Sequence, residues 1–232
     1  VRRAILALLL LPAVIAPAAR PAGAAPKPLV TAASYYRPVN TGGKVFPVAR
    51  SNFFSNMHFD DGWHDPRFRF IDGRWQLVGV HEGIDIVCEK GTPLLAYMDG
   101  VVENVGWTFY SGTRIGIRAV DGKYYFYAHT SEQFVQPGDH VQAGDLLGRA
   151  GNTGYGPEGT EDHFIPHLHF GIEGPGGWEN PYPELVELYA AAVRADEEAD
   201  GRLEALAEAN HRDGWTAEAE RTFTTFGIPL PL

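Results

Sequence analysis

From Arg74 to Ile172 the chain repeats one local pattern, short runs rich in Val, Ile, Tyr and Phe that end in Gly-containing turns. Such side chains pack well on a pleated surface and lose rotamer freedom in a helix, so the rhythm restricts this stretch to a β architecture with tight connections. Residues 74–80, 84–88, 94–97, 100–106, 113–119, 123–129 and 167–172 read as strands. Asp99-Gly100, Asp121-Gly122 and Pro137-Gly138-Asp139 read as the turns between them. The expected fold is mainly β, an antiparallel sheet domain over residues 74–182. After Pro183 the composition switches to Ala, Leu and Glu at helical spacing. Residues 183–232 therefore read as a helical extension, with a break near Gly201 and a shorter helix over 216–226. Residues 25–73, with Pro26, Pro28, Pro38 and Pro47 and little periodicity, read as an N-terminal extension whose part from Phe53 to Phe70 forms loops and short strands.

Residues 1–24 have the anatomy of a secretory signal peptide. Val1-Arg2-Arg3 is followed by an apolar stretch from Ala4 to Ile15, broken by Pro12, and then by Ala22-Gly23-Ala24 as a small-x-small cleavage site. That stretch falls short of the roughly 20 residues a membrane-spanning helix needs, and an uncleaved amphipathic anchor is the other reading. The expectation is an exported protein, secreted or held in the cell envelope, with no transmembrane span beyond an uncleaved signal. A formal charge of −10 gives nucleic-acid binding no support. A single Cys excludes an intramolecular disulfide and a Cys-based zinc knuckle.

With cysteine excluded, the chemistry falls to histidine and carboxylate. Three stretches concentrate them: His81-Glu82-Gly83-Ile84-Asp85, Tyr127-Ala128-His129 and His167-Leu168-His169. Taken alone, a strand His is more often a packed or surface residue than a ligand. His-x-His is stronger, because the period of two sets both rings on one face while Leu168 and Phe170 take the other. In a flat strand His81 and Asp85 would share a face yet stand about 13 Å apart. They can serve one ion only if the chain bends between them, and Gly83 makes a bend cheap. In the following strand Ile84, Ile86 and Cys88 alternate away from Asp85, so Cys88 is expected to be a buried small hydrophobe. H-E-x-x-H and G-x-S-x-G are both missing. What remains is five candidates for three places around a borderline cation such as zinc, leaving two imidazoles free for acid–base work.

The span from Leu77 to Ile172 resembles the lysostaphin/LytM-type zinc metallopeptidases, which cut peptide bonds in bacterial peptidoglycan. The matching residues are H-x-G-x-D at His81–Asp85, Gly91-Thr92-Pro93, Asp99-Gly100-Val101-Val102, Tyr127-Ala128-His129, Val141 to Gly148, Gly151-Asn152-Thr153-Gly154 and His167-Leu168-His169-Phe170. The resemblance implies the antiparallel, duplicated-hybrid-motif-like sheet of that family. It also implies Zn2+ held by His81, Asp85 and His169, and His129 and His167 assisting a metal-bound water that attacks a peptidoglycan peptide. The other reading is a non-catalytic cell-wall-binding or amidase-activating protein on the same fold. A biotinyl- or lipoyl-like carrier is a poor match, since the Met98–Val102 hairpin has Asp99 where a carrier needs Lys.

One departure from the family is an insertion from Tyr155 to Pro166, expected to border the cleft as a structural lid without a catalytic group. Residues 25–75 are a second point of interest, as a segment that folds over the cleft and holds the enzyme latent. His58 and His64 are expected at the surface, His140 in a turn and His211 near a helix end. Trp63, Trp75, Trp107 and Phe109 are expected in the core or the cleft wall.

Overall fold

The computed structural model describes residues 39–49 and 57–213. The expected signal peptide at 1–24, the first part of the N-terminal extension and the expected helix over 216–226 lie outside the described residues. In chain order the elements are β1 (Pro66–Ile71), β2 (Arg74–Val80), β3 (Ile84–Val87), β4 (Pro93–Leu95), β5 (Gly100–Thr108), β6 (Gly112–Ala119) and β7 (Tyr124–Ala128). There follow β8 (Thr130–Gln133), β9 (His140–Val141), β10 (Leu146–Ala150), β11 (His167–Gly174), β12 (Gly177–Glu179) and α1 (Tyr182–Asp213). The fold is mainly antiparallel β, as the alternation predicts.

Seven strands form the principal sheet, in the order β12-β11-β7-β6-β5-β9, with β3 also paired to β11. β4, β10 and β8 form a smaller sheet, and β1 and β2 pair with each other alone. Alternation sets the core: Ile84 and Ile86, Ile115 and Ile117, Tyr125 and Tyr127, and Leu168 and Phe170 all point to the buried side. Burial of each such side chain is worth roughly 1.5–3 kcal/mol. Phe170 lies against Tyr97 and Tyr127, with ring centroids 5.2 and 5.3 Å away. The Tyr127 hydroxyl stays satisfied by accepting the Tyr97 backbone N–H at 2.8 Å. Cys88 is buried as expected, and burial pushes its thiol up to about 11.

The structure departs from the sequence expectations in several places. α1 runs unbroken through Gly201, since an interior glycine costs only about 1 kcal/mol relative to Ala. Leu185 and Leu188 are buried, and Tyr189 packs on Phe46 and Phe59. His129 does not continue β7. Its backbone is left-handed, with φ of 63°, and the chain turns there into β8. His140 begins β9 instead of lying in a turn. Trp75 is 70% exposed and Phe109 53%, so neither is core. The β1–β2 hairpin explains Trp75. Arg67, Arg69 and Gln76 are half-buried, whereas Phe68, Phe70, Trp75 and Leu77 are exposed, the reverse of the usual amphipathic strand.

Candidate active site

Strand register assembles the site. β11 pairs with β3 so that His169 lies directly opposite Asp85, and on its other side it pairs with β7 so that His169 is beside Ala128. His167 and His169 share one face of β11, while Leu168 and Phe170 fill the core behind them. His81 stands just before β3, and the chain bends at Gly83 to bring its ring back over Asp85. His81 Nε2 lies 3.0 Å from Asp85 Oδ1 and 2.9 Å from His169 Nδ1. His169 Nδ1 closes the triangle, 2.9 Å from Asp85 Oδ1. Two ligands bonded to one zinc ion at 2.0–2.2 Å stand roughly 3.3 Å apart, so the three donor atoms converge as ligands of a single ion do.

The protonation pattern argues in the same direction. His81 Nδ1 donates to the Gly62 carbonyl at 2.9 Å, which leaves a lone pair on Nε2. That nitrogen faces the Asp85 carboxylate oxygen at hydrogen-bond distance, a contact that either a second proton on the ring or a cation bound between the two atoms satisfies. Burial pushes the Asp85 carboxyl up. Hydrogen bonds from His169 and His81, with the nearby His169 and His167 charges, outweigh it and hold the group well below the usual carboxylate range. Burial pushes the His169 imidazole down against the opposing pull of Asp85. His81, Asp85 and His169 are thus the one group of His, Cys, Asp and Glu among the described residues whose donor atoms lie close enough together that they could hold a metal ion.

The other two imidazoles stand alongside. His129 and His167 have ring centroids 4.7 Å apart, and the His129 centroid is 6.1 Å from that of His169. His129 Nδ1 donates to the Thr153 carbonyl at 2.7 Å, and His167 Nδ1 to the Ile165 carbonyl at 2.9 Å. A carbonyl only accepts, so in the neutral state both rings carry the proton on Nδ1 and leave Nε2 as an acceptor. Burial, followed by the charge of His167, pushes His129 down to about 3. It is a neutral base at any pH near 7.

Several supporting residues carry no strong sequence signal. Arg67 of β1 donates from Nη2 to Asp85 Oδ2 at 3.2 Å, clamping the oxygen that faces away from the two His. Arg69 hydrogen-bonds the Tyr110 hydroxyl and lies over its ring. The insertion contributes Phe164, 4.7 Å from the His129 ring and 5.1 Å from His167, and Tyr155, stacked 6.4 Å from His129. Asn152 anchors it by donating to Asp162 Oδ1 and the Phe164 carbonyl, while Lys90 pairs with Glu161. Only the position of the insertion, directly before His167, hints at this in the sequence. His58 and His64 are exposed, as expected, and His64 stacks on Trp63.

Gly83 has a role beyond bending. A Cβ there would lie 2.6 Å from His169 Cε1 and 2.7 Å from the Phe170 carbonyl oxygen. Gly83→Ala is expected to displace His169, lower stability by about 1–3 kcal/mol and weaken metal binding. Thermal melts with and without added zinc check this: the loss should be larger in the zinc-loaded protein.

Comparison with known proteins identifies relatives of this arrangement. Residues 79–181 match the model of peptidase family M23. The chain is 35% identical over 156 residues to the L-Ala--D-Glu endopeptidase of Bacillus subtilis (strain 168), covering 65% of this chain and 45% of that protein. It is 40% identical over 94 residues to the glycyl-glycine endopeptidase ALE-1 of Staphylococcus capitis, covering 40% and 24% respectively. It therefore spans less than half the length of these curated relatives. Among solved structures, the lytM crystal structure from Ruminococcus gnavus superposes with a TM-score of 0.53 at 33% identity, over 63% of this chain and 60% of that one.

Proposed function

Residues 79–181 form a peptidase family M23 domain, and from that premise we propose that the protein is a zinc-dependent endopeptidase that hydrolyses peptide bonds of bacterial peptidoglycan outside the cytoplasm. The observation that carries the reading is the convergence of His81 Nε2, Asp85 Oδ1 and His169 Nδ1 beside two imidazoles held through Nδ1, with His167 Nε2 3.7 Å from Asp85 Oδ1. Zinc held by those three atoms would lower the pKa of a bound water to about 7 and polarise the scissile carbonyl. The protein's own residues supply the rest. His81 and Asp85 are oriented by Gly62 and Arg67, which fix the ring tautomer and the carboxylate plane. His129 and His167 begin as acceptors, so one of them takes the proton of the attacking water. Only after that can it donate, to the developing oxyanion or to the leaving amine. Phe164 and Tyr155 pack the two rings and hold them against rotation.

Incubating the zinc-loaded protein with defined wall fragments and weighing the products tests the reading. The expected result is cleavage of one peptide bond with the gain of one water, abolished by a chelator and restored by zinc. Tight binding to wall material by the zinc-loaded protein without any product would instead favour the non-catalytic, wall-binding alternative.

Arg67 and Gly62 bear on the expectation that residues 25–75 hold the enzyme latent. The described part of that segment supports the donor atoms from outside, so its removal should weaken the site. Arg67→Ala is expected to lower zinc affinity about 10–100-fold, read by competition with a chromophoric chelator. An affinity equal to that of the unsubstituted protein would strip Arg67 of this role.

A further inference from the structure

The sheet face that carries the metal donors continues past them. Asp85, His169 and Ala128 are neighbours across β3, β11 and β7. The β6–β7 register sets Ile115 against Tyr127, and one further step sets Arg114 beside Ala128. The next row holds Gly171, Phe126, Gly116 and Asn104, and the one after it Glu173, Tyr124 and Arg118. In the row of the metal donors, Ala128, whose side chain is buried, lies between His169 and Arg114. Arg114, Asn104, Tyr124, Phe126, Glu173 and Trp178 line an open pocket of about 370 Å³.

This pocket has a shaped floor and a spare cation. A Cβ on Gly116 would lie 1.9 Å from the Tyr124 hydroxyl, so the absence of a side chain there is what lets Tyr124 lie across the strand. Phe126 stands between Trp178 and His169, with centroids 6.0 and 6.1 Å away, and so connects the pocket wall to the metal site. Arg114 Nη1 donates to Asn104 Oδ1, which also accepts from the Tyr124 hydroxyl. Arg114 Nε is buried and lacks a partner, and among the described residues no carboxylate pairs with this guanidinium. Arg118 differs: it is tied to Glu103 at 2.8 Å and feels Glu173 as well. The lining also holds Glu103 and Arg118, so with Glu173 its formal charges cancel; Arg114 is the cation of the pocket without a carboxylate in ion-pair contact, and with Nη1 held by Asn104 it has its other terminal nitrogen left for a carboxylate.

We propose that this pocket is a substrate subsite for a residue bearing a free carboxylate, with Arg114 as its counter-ion and Phe126 and Trp178 packing its aliphatic stem. The proposal rests on the endopeptidase reading and narrows it, because a bridge made only of glycine offers no such group. Two strand spacings set the Arg114 backbone about 10 Å from His169, and an extended peptide advances about 3.4 Å per residue. The acidic residue then lies within about three positions of the bond that is cut.

The test measures binding separately from cleavage. Two short peptides are made with a reduced, uncleavable bond, identical except that one carries glutamate and the other glutamine. Their affinities for the zinc-loaded protein are measured by calorimetry. The unsubstituted protein is expected to prefer the glutamate peptide about 10-fold or more. Arg114→Gln should remove that preference, lowering the affinity for the glutamate peptide far more than that for the glutamine peptide. Arg114→Lys, which keeps the charge but loses the fork, should recover part of it, and thermal melts establish that each variant is folded. Equal affinities in the unsubstituted protein, no binding of either peptide, or an Arg114→Gln variant that weakens both peptides alike would overturn the proposal. A protein that keeps the glutamate preference but never cleaves the corresponding normal peptide would instead overturn the hydrolase reading and leave the subsite standing.

Discussion

His169→Ala is expected to leave the protein folded, almost free of zinc and at least about 10³-fold less active on wall fragments. The expectation follows from where His169 sits. Its Nδ1 is within 2.9 Å of both other donor atoms. The two that remain, His81 and Asp85, come from a single five-residue stretch, so the variant loses the donor atom that β11 adds to the triangle. Two ligands cannot hold a tetrahedral ion against water and chelators, and a site without the ion lacks both its nucleophile and its electrophile. The fold should survive, because β11 is held in the core by Leu168 and Phe170, and the ring being removed borders the cleft. Zinc per chain by atomic absorption, a thermal melt and product release, all on one preparation, give the answer. Full zinc occupancy with unchanged hydrolysis would eliminate His169 as a ligand.

The same residue shows how far the sequence alone could be read. The alternation in His167-Leu168-His169-Phe170 predicts an imidazole face and a core face, and the structure has both. The bend at Gly83 was legible because a flat strand would keep His81 and Asp85 too far apart. The reason for glycine there was not, since it depends on how closely His169 and the Phe170 carbonyl approach from another strand. Register is a non-local quantity: nothing in residues 84–87 or 167–170 alone says that Asp85 will lie opposite His169. Arg67 escaped notice for a related reason. The segment before β2 has no periodicity that points inward, and the hairpin turns its charged face to the protein and its aromatic face to solvent. The continuous helix through Gly201 reflects a small local penalty that neighbouring helical turns outweigh.

His129→Ala should separate binding from chemistry: zinc content unchanged, hydrolysis slower by about 10²–10⁴-fold, with the loss in kcat and not in KM. His129 contributes no atom to the donor triangle, yet its ring neighbours both His167 and His169 and its Nδ1 is held by Thr153. The position is costly to maintain. A left-handed backbone at a non-glycine residue costs roughly 1–3 kcal/mol, and Ala, which also carries a Cβ, inherits that cost. The pH behaviour provides a second readout. With the imidazole pushed down to about 3, the unfolded chain takes up a proton near pH 6.5 that the folded chain refuses until about pH 3. Folding stability is therefore unaffected by this group above about pH 6.5 and falls as pH drops through that window, by about 1.4 kcal/mol per unit. His129→Ala should flatten that acid slope, measured by denaturant unfolding of the zinc-free protein between pH 7 and pH 4. It should leave the acid limb of the residual hydrolysis where it was, because a group that is already neutral throughout the working range cannot set it. An acid limb that moves with this substitution would mean that His129 takes up its proton far above pH 3 and itself sets the limb as the base.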